Sequence, residues 1–232
     1  MTAVRRSKAV NPENDPQKEI KVRHGISPNY GGDASIARNH SADIPHTKNC
    51  SLWITNLPPH CTHNMLLSQI QGMGRIYCCV INPPQQSAGH STAAAKVVFF
   101  ELSGAQNFYT MCSDPRRRLI VGGMVARVSL NRIKSAEFEP YGNKSRVLLI
   151  QGNVRCVNEE SLTAWFKERF QFDKDEVITH FHNSEMGFVE FRFGSWRCQA
   201  EAARIALLRE YEVGSAGGDI WSVRYGIDPC SV

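Results

Sequence analysis

Side chains able to hold a flat, anionic partner recur in this chain at two-residue spacing. In Met186-Gly187-Phe188-Val189-Glu190-Phe191, an extended backbone sends Gly187, Val189 and Phe191 to one face and Met186, Phe188 and Glu190 to the other. Upstream, Leu52, Ile54 and Leu57 alternate with Trp53 and Thr55, which turns Trp53 outward. On two later strands the same parity leaves Arg127, Ser129, Ser222 and Arg224 outward and sends Ala126, Val128, Leu130, Trp221, Val223 and Tyr225 inward. His180 and His182 are assigned to the face of Phe188, and Lys96 to that of Trp53. An outward ring in mid-sheet loses solvation unless something stacks on it, and a neighbouring guanidinium stacks or pairs with phosphate. Arg116, Arg117 and Arg118 add a local positive patch in a loop.

Other chemistry finds little purchase. The chain holds no Gly-rich phosphate loop, no His-Glu-x-x-His and no Gly-x-Ser-x-Gly, so no catalytic arrangement is implied and no cofactor is called for. Eight cysteines lie at 50, 61, 78, 79, 112, 156, 198 and 230 without a Cys-x-x-Cys pair, which reads as reduced packing residues in an intracellular protein. Cys50, His60, Cys61 and His63 cluster, but their spacing fits no zinc site. No apolar run is long enough to span a membrane, and the polar N-terminus lacks a signal-peptide core. The expected compartments are nucleus and cytoplasm. A net charge of +5 from 27 basic and 22 acidic residues tilts towards polyanions only mildly.

The elements that must position those residues repeat. Residues 1–47 are poor in large apolar side chains and read as a disordered basic tail. Residues 48–132 then run strand, helix, strand, strand, helix, strand. Thr62 caps a helix with the stripe Leu66, Leu67, Ile70 and Met73, and Ser103 caps one carrying Ala105, Phe108 and Cys112. Residues 133–144, with Pro140 and Gly142, read as a linker in which Phe138 and Tyr141 are free to dock on a neighbour. Residues 145–232 repeat the order: Asn158 caps a helix, Val157 and Leu162 form its hydrophobic staple, and Trp196, Ala200, Ala203 and Leu207 mark the next helical stripe. A doubled βαββαβ order is the ferredoxin-like α+β plan, two four-stranded antiparallel sheets, each with two helices on one face and the other face open.

Two short runs carry a family resemblance. Residues 187–191 fill the last places of the ribonucleoprotein octamer of the RNA recognition motif (RRM), with Gly187, Phe188, Val189 and Phe191. Residues 52–57 resemble its hexamer at all six positions, including the outward Trp53. The first unit's octamer is degraded, with Thr92, Ala94 and Lys96 where the family has a basic residue and two aromatics. The second unit's hexamer, read over 147–152, carries Leu148 at the ring position, and Met186 replaces its third aromatic. The resemblance implies a tandem RRM protein that binds single-stranded RNA without chemistry. Trp53 and Phe188 would stack bases beside Leu148 and Met186, Lys96, Arg127 and Arg224 would supply charge, and Thr55 and Asn56 would read base edges. One ring per unit, at about 1–3 kcal/mol each, requires both units to act together. It further implies a role in RNA processing or post-transcriptional control, with other RNA-processing proteins as further partners and no small-molecule substrate. The alternative is a protein–protein interaction module built on degenerate RRMs.

Overall fold

The structure, a computed structural model, describes Lys21, Ser35 and residues 40–138, 142–211, 213 and 218–232. In the first unit the strands are β1 (Ser51–Leu57), β2 (Ile76–Asn82), β3 (Ala93–Phe99) and β6 (Arg127–Leu130), with a small hairpin of β4 (Ile120–Val121) and β5 (Met124–Val125). The helices are α1 (His63–Leu67) and α2 (Leu102–Ser113). The second unit holds β7 (Val147–Asn153), α3 (Glu159–Arg169), β8 (Lys174–His182), β9 (Met186–Phe193), α4 (Glu201–Glu210) and β10 (Ile220–Tyr225). The sheets run β2-β3-β1-β6 and β10-β7-β9-β8, every described pairing being antiparallel. Each therefore places its first and third strands at the centre, the expected split βαβ plan.

Local chemistry explains most element ends. The Thr62 hydroxyl accepts from the Met65 amide at 3.2 Å and starts α1, while Asn158 accepts from Ser161 at 2.8 Å and starts α3. The α1 helix stops five residues on, short of the expected run to Met73. The amides of Gln69 and Ile70 bond three residues back instead of four, tightening the chain while Leu66, Leu67 and Ile70 stay buried. The cap of α2 is Glu101, not Ser103. Trp196 does not open a helix as expected. Arg197 (ψ 125°) and Cys198 (φ +62°) break the turn Trp196–Ala200 before α4 begins.

Two stretches read as loose are tied down. Of the tail expected over 1–47, residues 40–47 pack on the first unit: the Ala42 amide donates to Lys134 O at 2.9 Å, Lys134 Nζ donates to Ile44 O, and His46–Lys48 form a 3-10 turn. Apart from Lys21 and Ser35, the rest of that tail lies outside the described residues, as does Tyr141. Within the expected linker, the Phe138 amide donates to Phe100 O and its ring joins Tyr77, Phe100 and Trp196 in a four-ring cluster with centroids 5.2–6.0 Å apart.

That cluster is one part of a seam between the units. Ser195 Oγ accepts from the Cys79 amide (2.9 Å) and donates to its carbonyl (3.0 Å), so one hydroxyl covers the edge of β2. Asp228 Oδ2 accepts from the Ile76 amide at 2.7 Å, and Cys230 O from Met73 and Gly74 at 2.8 Å. Behind these, buried Arg146 donates to Asp228 (2.9 Å), Asp175 (2.5 Å) and Phe193 O (3.0 Å). The paired carboxylates hold its guanidinium in the charged form, against the desolvation of burial. Such a triad stabilises most when its geometry and hydrogen bonds are complete; here every arm of Arg146 has a partner, the third being Cys230 Sγ at 3.7 Å, while Asp175 Oδ1 is buried with none among the described residues. The second unit is thereby fixed against β2 and α1 of the first.

Candidate nucleic-acid interface

In the first sheet, pairing places Trp53 between Lys96 on β3 and Ser129 on β6, Thr55 opposite Arg127, and Lys96 also opposite Val80. Residues directly opposite share a face, so these side chains form one open surface. Trp53, Thr55 and Lys96 are half-buried, whereas Arg127, Ser129 and Val80 are exposed. Ala95, Val97 and Ile54 point to the helices and are buried. Burial pushes the Lys96 ammonium below its ordinary pKa, and the guanidinium of Arg197, brought over from the second unit, pushes it further down. Asn56 is held at φ +60° and its amide nitrogen donates to Val125 O at 2.8 Å, so that group fastens the β4–β5 hairpin.

In the second sheet Phe188 lies opposite Gln151 on β7 and Phe181 on β8. The His180 ring sits over Phe188 with centroids 5.0 Å apart at 35°, and Met186 Sδ accepts from Gln151 Nε2 at 3.3 Å. Phe188 and Met186 are half-buried on the open face, as the alternation requires, while Gly187, Val189 and Phe191 are buried beneath. Arg224 is exposed opposite Leu149. The centre of this face neutralises itself: Arg192 donates to Glu190 (2.6 Å) and Glu176 (2.5 Å), and His180 Nε2 lies 2.9 Å from Glu190.

Leu148 is not on this surface. It is fully buried opposite Phe191 and Tyr225 on the helix side, so the outward residue at the ring position is Leu149. Four consecutive apolar residues, Val147 to Ile150, gave the alternation nothing to register on. A β-bulge between Ile220 and Ser222 likewise overturns the inward assignment of Trp221, which is 42% exposed with its indole N–H donating to Gly218 O at 2.9 Å. A second bulge, between Thr179 and Phe181, sets His182 opposite inward-facing Gly187, so only His180 joins Phe188. Arg116 to Arg118 are exposed in the turn after α2.

Sequence reasoning missed one member, Phe181 (44% exposed), which owes its place to the bulge and so leaves no periodic signal. The glycine of the octamer-like run has a steric origin: a Cβ on Gly187 would lie 1.9 Å from Val157 O, and one on Gly152 2.2 Å from Asp219 O.

Strand order, register and the outward rings on both central regions now stand together. Both units have the ferredoxin-like split βαβ fold, the plan expected of an RRM. No protein-family model and no curated protein matches the sequence. Among solved structures, a Sxl-lethal protein–RNA complex is 19% identical, with 77% of this chain covering 99% of that one at a TM-score of 0.29. The Sex-lethal RNA recognition domains 1 and 2 from Drosophila melanogaster are 18% identical, covering 70% of this chain and 95% of that one, at 0.28. The first two RRM domains of a yeast poly(U) binding protein are 16% identical, covering 76% and 99%, also at 0.29. The fold itself is read from strand order and register. The two units differ in charge: the first face presents Lys96 and Arg127 around one indole, while the second pairs Arg192 and His180 with Glu176 and Glu190 beside the rings of Phe188 and Phe181 and leaves Arg224 exposed.

Proposed function

We propose that the tandem RRM binds single-stranded RNA, with the first open face as principal platform and the second as a weaker one. The observation that carries this reading is Trp53, a half-exposed indole in mid-sheet, with Lys96 and Ser129 as its register partners and Arg127 on the same face opposite Thr55. A base stacks on the indole while the cations meet phosphate, which is binding without chemistry. Phe188 with His180, and Arg224, give the second face a smaller version of the same equipment. A role in RNA processing or post-transcriptional control, in nucleus or cytoplasm, belongs to this reading.

One observation favours a protein partner on the second sheet. Glu190 occupies the middle of that face within the Glu176–Arg192–Glu190–His180 network, and Leu149, Met186, Phe181 and Phe188 surround it. Anisotropy titrations of labelled single-stranded RNA pools at low salt test the proposal: saturable binding that is lost in Trp53→Ala supports it. A folded chain that binds no pool removes the RNA reading and leaves the protein partner.

A further inference from the structure

We infer that a second site, where the end of the second sheet meets the linker and which shares Arg224 with the open face, takes a phosphate-bearing nucleotide. This rests on the proposed RNA binding for one of the two sources of that nucleotide, the strand itself; the other is a free nucleotide.

A cavity of about 450 Å³ opens here, lined by Asn143, Leu149, Arg204, Arg224, Tyr225 and Ile227, a size within the roughly 300–1,000 Å³ of small-molecule sites. Two guanidiniums reach it from different elements, Arg204 from α4 and Arg224 from the open face of β10. Their charges face no carboxylate on the cavity wall. Arg204 stands over the Tyr225 ring, Cζ 5.3 Å from the centroid, and its Nε is buried without a hydrogen-bond partner among the described residues. The rest of the wall is apolar or flat: Leu149, the Tyr225 ring and Ile227, which is 71% exposed. An anionic group joined to a flat, weakly polar ring matches both halves, and the Asn143 amide lies at hand for a polar edge. Paired arginines suit phosphate in particular, because their forked donors match its oxygens.

The cavity depends on the seam. Trp196 Nε1 donates to the Tyr225 hydroxyl at 3.1 Å, and Trp196 is locked in the ring cluster with Tyr77 and Phe100. Arg75 Nη1 donates to Lys144 O at 2.9 Å, beside Asn143, and Asp228, beside Ile227, accepts from Ile76. Both rims are therefore set by contacts with the first unit.

The test uses the full chain, a short labelled single-stranded RNA, and titrations at several salt concentrations. Arg204→Gln/Arg224→Gln is expected to lose about tenfold in affinity at low salt, with the slope of log affinity against log salt falling by about 1.4, or 0.7 per lost phosphate contact. Arg204→Gln alone, which leaves Arg224 of the open face in place, is expected to lose half of that slope change, with a melting curve beside it to read any effect of losing the contact with Tyr225. Affinity and slope equal to the parent in the double variant overturn the inference. Adenosine 5′-monophosphate is then added without RNA. A rise in melting temperature of the parent but not of the double variant assigns the site to free nucleotide as well; no rise, with the slope change present, assigns it to phosphates within the strand. Trp53→Ala/Phe188→Ala separates this inference from the open-face reading. If that pair loses RNA while the arginine variants do not, only the cavity falls. If Arg204→Gln loses RNA while the pair does not, only the open faces fall.

Discussion

Replacing Trp53 by alanine is expected to weaken RNA binding by roughly 5- to 150-fold, the equivalent of the about 1–3 kcal/mol that one base stacked on an aromatic contributes. The structure sets the sign of three accompanying measurements. Trp53 lies on the open face away from the helices, opposite Lys96 and Ser129 and outside the buried core, so its removal leaves the packed side of the sheet intact. Thermal melting is expected to shift by only a few degrees, since substitutions outside buried features usually stay within about 0.5 kcal/mol and a partly buried ring adds modestly to that. No charge is lost, so the salt dependence of binding is expected to stay parallel to that of the parent while every affinity falls by the same factor. Fluorescence anisotropy at four or more salt concentrations, with a melting curve for each sample, measures all three. A collapse in melting temperature would show that the indole is structural. Unchanged affinity, or a loss that disappears at high salt, would show that no base sits on it.

Lys96→Met removes a cation that the fold holds below its ordinary pKa. The folded state disfavours the charged form, so the wild-type chain gains stability as pH rises from the depressed folded pKa towards 10.5. The Met variant is expected to be the more stable at pH 7 by urea denaturation, with the gap narrowing in alkali, and to bind RNA less tightly; a less stable variant at pH 7 would contradict the burial argument. Gly187→Ala drives a methyl into the Val157 carbonyl at 1.9 Å and is expected to cost several kcal/mol, of the order of an overpacked core, read as a lost or much lowered melting transition. Asp228→Asn leaves buried Arg146 short of one charge and is expected to destabilise by about 3–5 kcal/mol. A change under about 1 kcal/mol in the same denaturation would show the triad to be incidental.

How far the sequence was legible depended on how far each contact lay along the chain. Trp53, Phe188, Arg127 and Arg224 were placed by parity alone, because on each of these strands a polar or aromatic residue interrupts the apolar ones. Leu148 was misplaced because Val147 to Ile150 offers no interruption, and only the pairing with Phe191 and Tyr225 sets the phase. Trp221 and His182 failed for a different reason, since a bulge shifts parity by one and neither bulge carries a glycine or proline to announce it. Arg197, Ser195 and the C-terminal residues Asp228 and Cys230 act across 100 residues or more of sequence, where local pattern holds no information.

The hydroxyl of Ser195 has an effect beyond fixing the units together. An outer strand with free amides and carbonyls is an invitation to pair with another chain, and β2 would otherwise be such a strand. By occupying both polar groups of Cys79 at once, a single serine withdraws the middle of that border from strand addition. Peptides that bind by extending a sheet, and neighbouring copies that would aggregate by the same route, meet that border with its central amide and carbonyl already taken.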